Sequence, residues 1–318
     1  MNHRAVTHDQ ELIRSAFPEW DTLHRAVTSP EVVPVIFDIA FDWLSIALAM
    51  LTLHRLGWMS APAAVAWIGN RQRALGNLLH DAAHRNFARS ARINDALACL
   101  LIAPALFNSL AVYRELHARH HAWLGDPTRD PDYIAVRSKP GDRWWKPFFK
   151  VLFAPAAWLS STFGHLHLST LTWMQRFAIV GWWCAVLGAM TLLWGMHAAA
   201  LFFGIWLLAR ATLFHVITTF RELCDHFGRQ PGGIFRYTRD VSSRSLWCCV
   251  IHPHNNGYHL THHLMPAIPY HRLSSVHQRL LKLPAFARTA RVCRVYFRGP
   301  DAVVREWEVQ GGAENVAA

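Results

Sequence analysis

His254-Asn255-Asn256-Gly257-Tyr258-His259-Leu260-Thr261-His262-His263-Leu264-Met265-Pro266 is the run of residues on which the reading of this chain turns. Inside it His259, His262 and His263 follow the spacing H-x-x-H-H. On a helix, positions i, i+3 and i+4 share a face, so three imidazoles point at one spot. Asn256-Gly257 ahead of them is a turn signal and Pro266 behind them a stop signal. The run therefore predicts a short helix carrying a row of nitrogen ligands.

The same spacing recurs at His117, His120 and His121, and His80 and His84 add an i, i+4 pair. Three separated clusters thus supply eight imidazoles, and none of the clusters contains a cysteine. Repetition of a helical histidine pattern three times in one chain points to a shared metal centre.

Composition says where such a centre lies. Of 318 residues 52% are hydrophobic and only 17% charged, with fifteen Trp and eighteen Phe. That balance is too apolar for an ordinary soluble enzyme and indicates a membrane protein with sizeable polar parts. The formal charge of +11 does not indicate a nucleic-acid binder, because its basic residues are interleaved with apolar helices rather than gathered into a module. No C-x-x-C pair occurs among the six cysteines, which argues against a zinc ribbon or a thiolate-held iron–sulfur site. Adjacent Cys248 and Cys249 favour a reducing compartment. The first thirty residues are charged throughout and contain no signal-peptide core. They read as a cytoplasmic tail with an amphipathic helix over 11–27. The only trace of a haem loop, Gln230-Pro231-Gly232-Gly233, lacks the histidine that a fused cytochrome b5 module would need.

Four spans are expected. Val33–Leu53 comes first, about a bilayer core in length, with Asp38 and Asp42 one turn apart on it. A tight turn at His54-Arg55-Leu56-Gly57 leads into Trp58–Leu79. The polar run Asn70-Arg71-Gln72-Arg73 predicts that this second helix leaves the bilayer as it delivers His80 and His84. Ala96–Phe107 is too short to cross and is broken by Pro104, so it reads as re-entrant or interfacial. Asn108–His121 is expected as a helix, followed by a turn-rich loop with Asp126, Asp130 and Asp132. Phe148–Phe163 is expected to lie in the interface, anchored by Trp144, Trp145 and Trp158. Thr172–Trp194 and Met196–Thr218 complete the set. Arg210 on the last span has three candidate roles: pairing with Asp42, snorkelling to the surface, or touching a substrate head. The same helix continues to His226, a ninth imidazole.

Four crossings put both termini and all three clusters on one side, which a shared site requires. Charge agrees. Of 32 Lys and Arg only Arg55 falls in an outer loop, whereas residues 80–172 hold eleven and residues 219–318 hold thirteen. The expected organisation is a cytoplasmic tail (1–32), an all-α catalytic membrane domain (33–285) whose helical cap holds the histidines, and a C-terminal tail (286–318). If the chain is bacterial, this is a multi-pass protein of the inner membrane with its site facing the cytoplasm.

Imidazoles suit iron, zinc and copper. Eight or nine exceed the six that one octahedral ion accepts, so two metals fit the count. A two-metal, all-nitrogen site beside an apolar bundle is placed to act on a lipid chain. Unactivated C–H bonds need a strong oxidant, which redox-silent zinc is not and iron with dioxygen is. The residues thus predict a di-iron oxidase acting on an alkyl or acyl group.

These motifs resemble the membrane fatty-acid desaturase and hydroxylase superfamily over roughly residues 35–280. The likeness rests on Arg71–Leu75 leading into His80–His84, on His117–His121 followed by Leu124-Gly125-Asp126-Pro127 and Asp130-Pro131-Asp132, and on His259–His263 running into Leu264–Leu273. It implies two irons held by His80, His84, His117, His120, His121, His259, His262 and His263, with His226 completing the set. It also implies dioxygen as co-substrate and electrons from a ferredoxin, rubredoxin or cytochrome-type donor, here a separate protein. A membrane lipid or acyl thioester is the implied substrate. Where some members carry an asparagine, this chain has Glu222, a candidate for bonding to a ligand or for ligation. Asp81, Asp126, His252 and His254 are further candidates to orient the ligand rings. Of the remaining histidines, His165 and His167 are expected at the headgroup level and His277 at the surface.

Double-bond formation in a fatty acyl chain is the leading expectation, with hydroxylase, ketolase or alkene-forming decarboxylase chemistry as alternatives. An intramembrane zinc protease is disfavoured because Asp81 stands where H-E-x-x-H needs its glutamate. A non-catalytic metal carrier is the third class.

Overall fold

The computed structural model describes residues 2–17, 24, 25, 27–139 and 141–308. Among them lie the helices α1 (Asn2–Ala16), α2 (Val32–Leu56), α3 (Ala61–Ala83), α4 (Ala91–Leu101), α5 (Leu110–Ala122), α6 (Trp145–Leu152), α7 (Pro155–Phe163) and α8 (Trp173–Trp194). They are followed by α9 (Met196–Ala209), α10 (His215–His226), α11 (Ile234–Tyr237), α12 (Leu246–Ile251), α13 (His259–Leu264), α14 (Tyr270–Leu280) and α15 (Pro284–Thr289). A two-residue parallel pairing joins β1 (Asp240–Val241) to β2 (Val292–Cys293). α1 overlaps the expected helix over 11–27 at residues 11–16, and residues 18–23 and 26 lie outside the described residues. Contacts divide the chain into two interleaved units, one of residues 31–114 and 154–218, the other of residues 1–30, 115–153 and 219–318.

The first unit carries the long apolar helices. Three stretches, Val32–Ala83, Trp173–Trp194 and Met196–His226, are long and apolar enough to cross a membrane. Val32–Ala83 is a hairpin rather than one rod, because α2 stops at Gly57 (φ +71°) and α3 packs back along it. Large apolar side chains such as Phe37, Leu44, Phe177 and Leu192 are exposed on these helices, an outward face suited to hydrocarbon and costly in water.

The polar run on α3 finds its partners inside the unit. Residues 68–83 are all buried. Arg71 Nη1 lies 2.9 Å from Asp42 Oδ1, Gln72 donates to the Trp206 carbonyl at 3.0 Å, and Arg73 donates to Asn77 at 2.6 Å. Asp42 is thereby the partner of Arg71, not of Arg210. Arg210 is buried, donates to the carbonyls of Thr162 (2.8 Å) and Ser161, and lies over the Phe214 and Phe107 rings. It thus caps the end of α7, where a cation meets unpaired carbonyls, and neither pairs with Asp42 nor snorkels to the surface. His165, expected at the headgroup level, is also buried, and its Nδ1 accepts from the Ser109 amide.

Residues 96–107 form the rest of α4, one 3-10 turn and a left-handed Phe107 (φ +58°). A broken helix frees carbonyls that an apolar surrounding cannot satisfy. Four tryptophans solve this. Trp182 donates to the Leu100 carbonyl (2.8 Å), Trp43 to Leu101 (2.9 Å), Trp183 to Pro104 (3.0 Å) and Trp206 to Ala105 (3.1 Å). An indole is the side chain for this task, since it joins a large apolar body to a single N–H donor.

Between α9 and α10 the helix makes one π turn, Arg210–Phe214, and the Ala211 carbonyl accepts from the Trp158 indole at 3.0 Å. α3 approaches this turn at Gly69, where a Cβ would lie 2.8 Å from that of Leu213 and 3.0 Å from the Phe214 amide. The expected interfacial segment 148–163 is two helices, α6 and α7, one in each unit and broken before Pro155.

In the second unit α10 and the residue after it present Phe220, Leu223, Cys224 and Phe227, spaced i, i+3, i+4, i+7, to an apolar core. Phe148, Val241, Cys293, Tyr296, Val303, Val304 and Trp307 fill the rest of that core. Residues 286–307, expected as a tail, are structural. All six cysteines are free thiols.

Candidate metal centre

The unit of residues 1–30, 115–153 and 219–318 brings seven imidazoles together, and local chemistry explains how. Before α13 the chain turns through His254 and Asn255, both left-handed (φ +55° and +56°). Gly257 then lies so close to β1 that a Cβ would stand 2.6 Å from the Val241 carbonyl. The residue preceding α13, Tyr258, offers no capping bond. Asp240 supplies one from a distance, accepting from the Thr261 amide (3.0 Å) and hydroxyl (2.6 Å). His277 donates to the same carboxylate from Nδ1 at 2.8 Å. It is fully buried, contrary to the surface position expected of it, because it holds the group that holds α13.

The imidazoles fall into two groups. His120, His226, His259 and His263 offer ligand nitrogens within 4.8 Å of one another, and all four are buried. The Nε2 atoms of His259 and His226 are 2.9 Å apart, and those of His263 and His259 3.0 Å. A second group is His117, His121 and His262, with Nε2 separations of 3.0 Å (His117 to His121) and 3.1 Å (His121 to His262). Two imidazole nitrogens each about 2.1 Å from one metal and at right angles to each other stand about 3.0 Å apart. The observed spacings match the edges of such a coordination polyhedron, and the residues fit a metal in each group. Such rings are supplied by α5, α10 and α13, with the i, i+3, i+4 faces of α5 and α13 each contributing three.

Carboxylates and carbonyls fix the far side of the rings. His120 Nδ1 donates to Asp130 Oδ1 at 2.8 Å, leaving Nε2 for a metal. Asp130 is itself held by the amides of Gly125 (2.7 Å) and Asp132 (2.9 Å). His226 Nδ1 faces the Tyr237 carbonyl at 3.3 Å, and the Tyr237 ring stacks on its imidazole. Asp225 Oδ2 lies 2.8 Å from Arg221 and 3.7 Å from His259 Nδ1, while its Oδ1 lies 3.3 Å from His252 Nε2. Burial and neighbouring imidazoles push His259 and His263 well below the ordinary histidine range, so each offers a free lone pair at neutral pH. His120 goes the other way. Burial opposes its charge, but the bond to Asp130 and the charges of Asp132 and Asp130 prevail and raise it.

The remaining sequence candidates are placed as follows. His80 and His84 lie in the other unit at the end of α3, their rings 5.5 Å apart. There the Asp81 carboxylate accepts from Asn86 at 3.0 Å, closing the turn after α3. Glu222 pairs with Arg221 at 2.6 Å. His252 is buried between Asp225 and the Tyr296 hydroxyl, one residue removed from the metal group. His254 packs on Tyr270. Asp126 accepts from Thr128 and Arg129 within its own loop, and it is Asp130, four residues on, that reaches His120. Asp225 was missed by sequence reasoning, although its i, i+4 spacing from Arg221 and its place beside His226 are a readable signal.

Comparison with known sequences adds to this picture. A family described as Fatty acid desaturase matches residues 56–294. A dihydrorhizobitoxine desaturase of Bradyrhizobium elkanii is 29% identical over 284 residues, covering 82% of this chain and 79% of the relative. An sn-1 oleoyl-lipid 12-desaturase of Synechocystis is 26% identical over 267 residues, covering 74% of this chain and 72% of the relative. A chloroplastic omega-6 fatty acid desaturase of Brassica napus is 22% identical over 288 residues, 82% of this chain but only 62% of the relative.

Proposed function

The chain belongs to the fatty acid desaturase family and is an oxidoreductase of the desaturase type, and from that premise we propose that it inserts a double bond into a fatty acyl chain of a membrane lipid or thioester, using two irons and dioxygen. The observation that carries the reading is the pair of all-imidazole groups whose nitrogens stand 2.9–3.1 Å apart. One iron is held by His120, His226, His259 and His263. The other is held by His117, His121 and His262. Dioxygen and two external electrons at this pair supply the oxidising power that C–H cleavage needs. The protein's own contribution is to orient the ligand rings, through Asp130, the Tyr237 carbonyl and Asp225, and to bury them away from water.

Four membrane crossings, the two arms of Val32–Ala83 and the two later helices, put the three histidine clusters and His226 on the cytoplasmic side. A ferredoxin, rubredoxin or cytochrome-type protein delivers electrons there, and the thirteen basic residues of 219–318 suit an acidic carrier. A second reading is favoured by the relative at 29% identity, whose name makes its substrate dihydrorhizobitoxine. On that reading the substrate is a compound of that kind and not a fatty acyl group.

The test is purified protein loaded with iron, given reductant and oxygen, and presented with acyl lipids, acyl thioesters and a dihydrorhizobitoxine-like compound. Mass spectrometry should find a product two mass units lighter, lost in His120→Ala. An oxygenated product would indicate hydroxylation instead. Turnover surviving His120→Ala would refute the site.

A further inference from the structure

The family match begins at residue 56, so α1 lies outside it. α1 has an unusual buried face. Its stripe at i, i+3, i+4, i+7 is Val6, Asp9, Gln10 and Ile13, in which the outer two positions are apolar and the inner two polar. Val6 and Ile13 are buried (7% and 1% exposed), and they flank the pair that an ordinary amphipathic helix would make apolar. Polar side chains placed there cost stability unless they bond.

Both do bond, and to the segments that carry candidate ligands. Gln10 Nε2 donates to the His263 carbonyl at 3.1 Å, near the C-terminal end of α13. Asp9 Oδ2 accepts from the Phe235 amide at 3.3 Å, at the start of the short turn that ends in Tyr237. Gly233 is required for that approach, since a Cβ there would run into the Asp9 carboxylate. Tyr237 in turn holds His226 by its carbonyl and its ring. One helix turn of α1 therefore grips two of the segments from which the four-histidine group is built.

We propose that Asp9 and Gln10 are positioning residues of the four-histidine metal site, and that α1 is a clasp belonging to the metal centre and not a passive tail. Gln10 fixes the height of α13 through the His263 carbonyl. Asp9 fixes the 233–237 turn, and through it the ring of His226. Nothing about the exposed face of α1 is needed for this, which gives an internal control in Glu11.

The inference rests on the reading of this group as metal ligands, and the experiment separates the two. Apo protein in detergent is titrated with Co2+, whose visible d–d bands report coordination geometry without turnover. Gln10→Glu keeps the size of the side chain but replaces the donor with an acceptor facing the His263 carbonyl. It should weaken Co2+ binding about tenfold, the scale found when groups that orient a ligand are lost, and shift the bands. Gln10→Lys, which restores a donor, should recover most of the wild-type spectrum, and Asp9→Asn should give a similar weakening. Glu11→Ala should match wild type in both readouts. If Gln10→Glu lowers the melting temperature but leaves affinity and spectrum unchanged, α1 is merely structural and the proposal is overturned. If Gln10→Glu fails to fold, Asp9→Asn decides by the same criteria. Should wild-type protein bind no Co2+, the reading of the histidines fails first.

Discussion

Substituting Asp130 by Asn tests the metal centre at its most constrained point. The Asp130 carboxylate is fully buried and accepts three N–H groups, those of His120 and Asp132 on Oδ1 and that of Gly125 on Oδ2. Asn has the same shape but only one acceptor oxygen. If its oxygen takes the place of Oδ1, its amide nitrogen faces the Gly125 N–H at the 2.7 Å now spanned by a hydrogen bond. If it takes the place of Oδ2, the amide faces His120 Nδ1, which must then accept, and the ring proton moves to Nε2 and blocks the metal lone pair. Either way one charge-assisted bond is lost and one donor is stranded, worth about 2–4 kcal/mol of apo stability. Metal affinity should fall about 10–100-fold. Competition of Fe2+ or Co2+ binding against a calibrated chelator measures this, with Asp126→Asn as the control, since that side chain bonds only within its own exposed loop. Affinity within twofold of wild type for Asp130→Asn would refute the argument that this carboxylate sets the His120 tautomer.

Other expectations are open to simpler measurements. Trp206→Phe keeps the apolar body but strands the Ala105 carbonyl, so it should cost about 1–3 kcal/mol in thermal or denaturant unfolding. Trp173→Phe, at an exposed indole, should cost far less, and equal losses would remove the carbonyl-capping role. Glu306 sits between Arg239 and Arg291; burial opposes its charge, but the two guanidiniums prevail and hold its carboxyl below the usual 4.5. Its folded pKa is depressed, so its contribution is present above about pH 4.5 and lost as pH falls through the folded value. Acid unfolding of Glu306→Gln should be shallower in that window than wild type, and an unchanged slope would rule this residue out as the cause. Stripping the metal with a strong chelator should lower the melting temperature, and excess Fe2+ should restore it by mass action. A melting temperature indifferent to both would mean that no metal is held.

How much of this was readable in the sequence depended on whether the information was local. The i, i+3, i+4 spacing of His117, His120 and His121, and of His259, His262 and His263, follows from helix geometry alone, and those rings do converge on one face of α5 and α13. The apolar stretches were bounded to within a few residues for the same reason. Partners distant in sequence were not legible. Asp42 could be seen to need a cation, but only packing chooses Arg71 over Arg210. The run 70–73 looked too polar for an apolar bundle because two of its acceptors, the Asp42 carboxylate and the Trp206 carbonyl, come from elsewhere along the chain. His277 carries no local mark of burial, since the Asp240 it meets is 37 residues away. Residues 286–307 have the composition of a tail, yet Trp307 and its neighbours complete the core around α10.

The π turn at Arg210–Phe214 has a consequence for how this helix tolerates change in length. A π turn holds one residue more than the α-helical turn it replaces, and each residue advances an α-helix by about 100°. Removing a single amino acid between Arg210 and Phe214 would let the turn relax to regular α geometry, the surplus residue gone and the helix beyond it keeping its bearing. The same deletion within α10 has no surplus to absorb it and would rotate everything after it by more than a quarter of a revolution, swinging His226 away. One-residue deletions should therefore be tolerated inside the turn and inactivating beyond it, where only an insertion in the same helix would reset the phase.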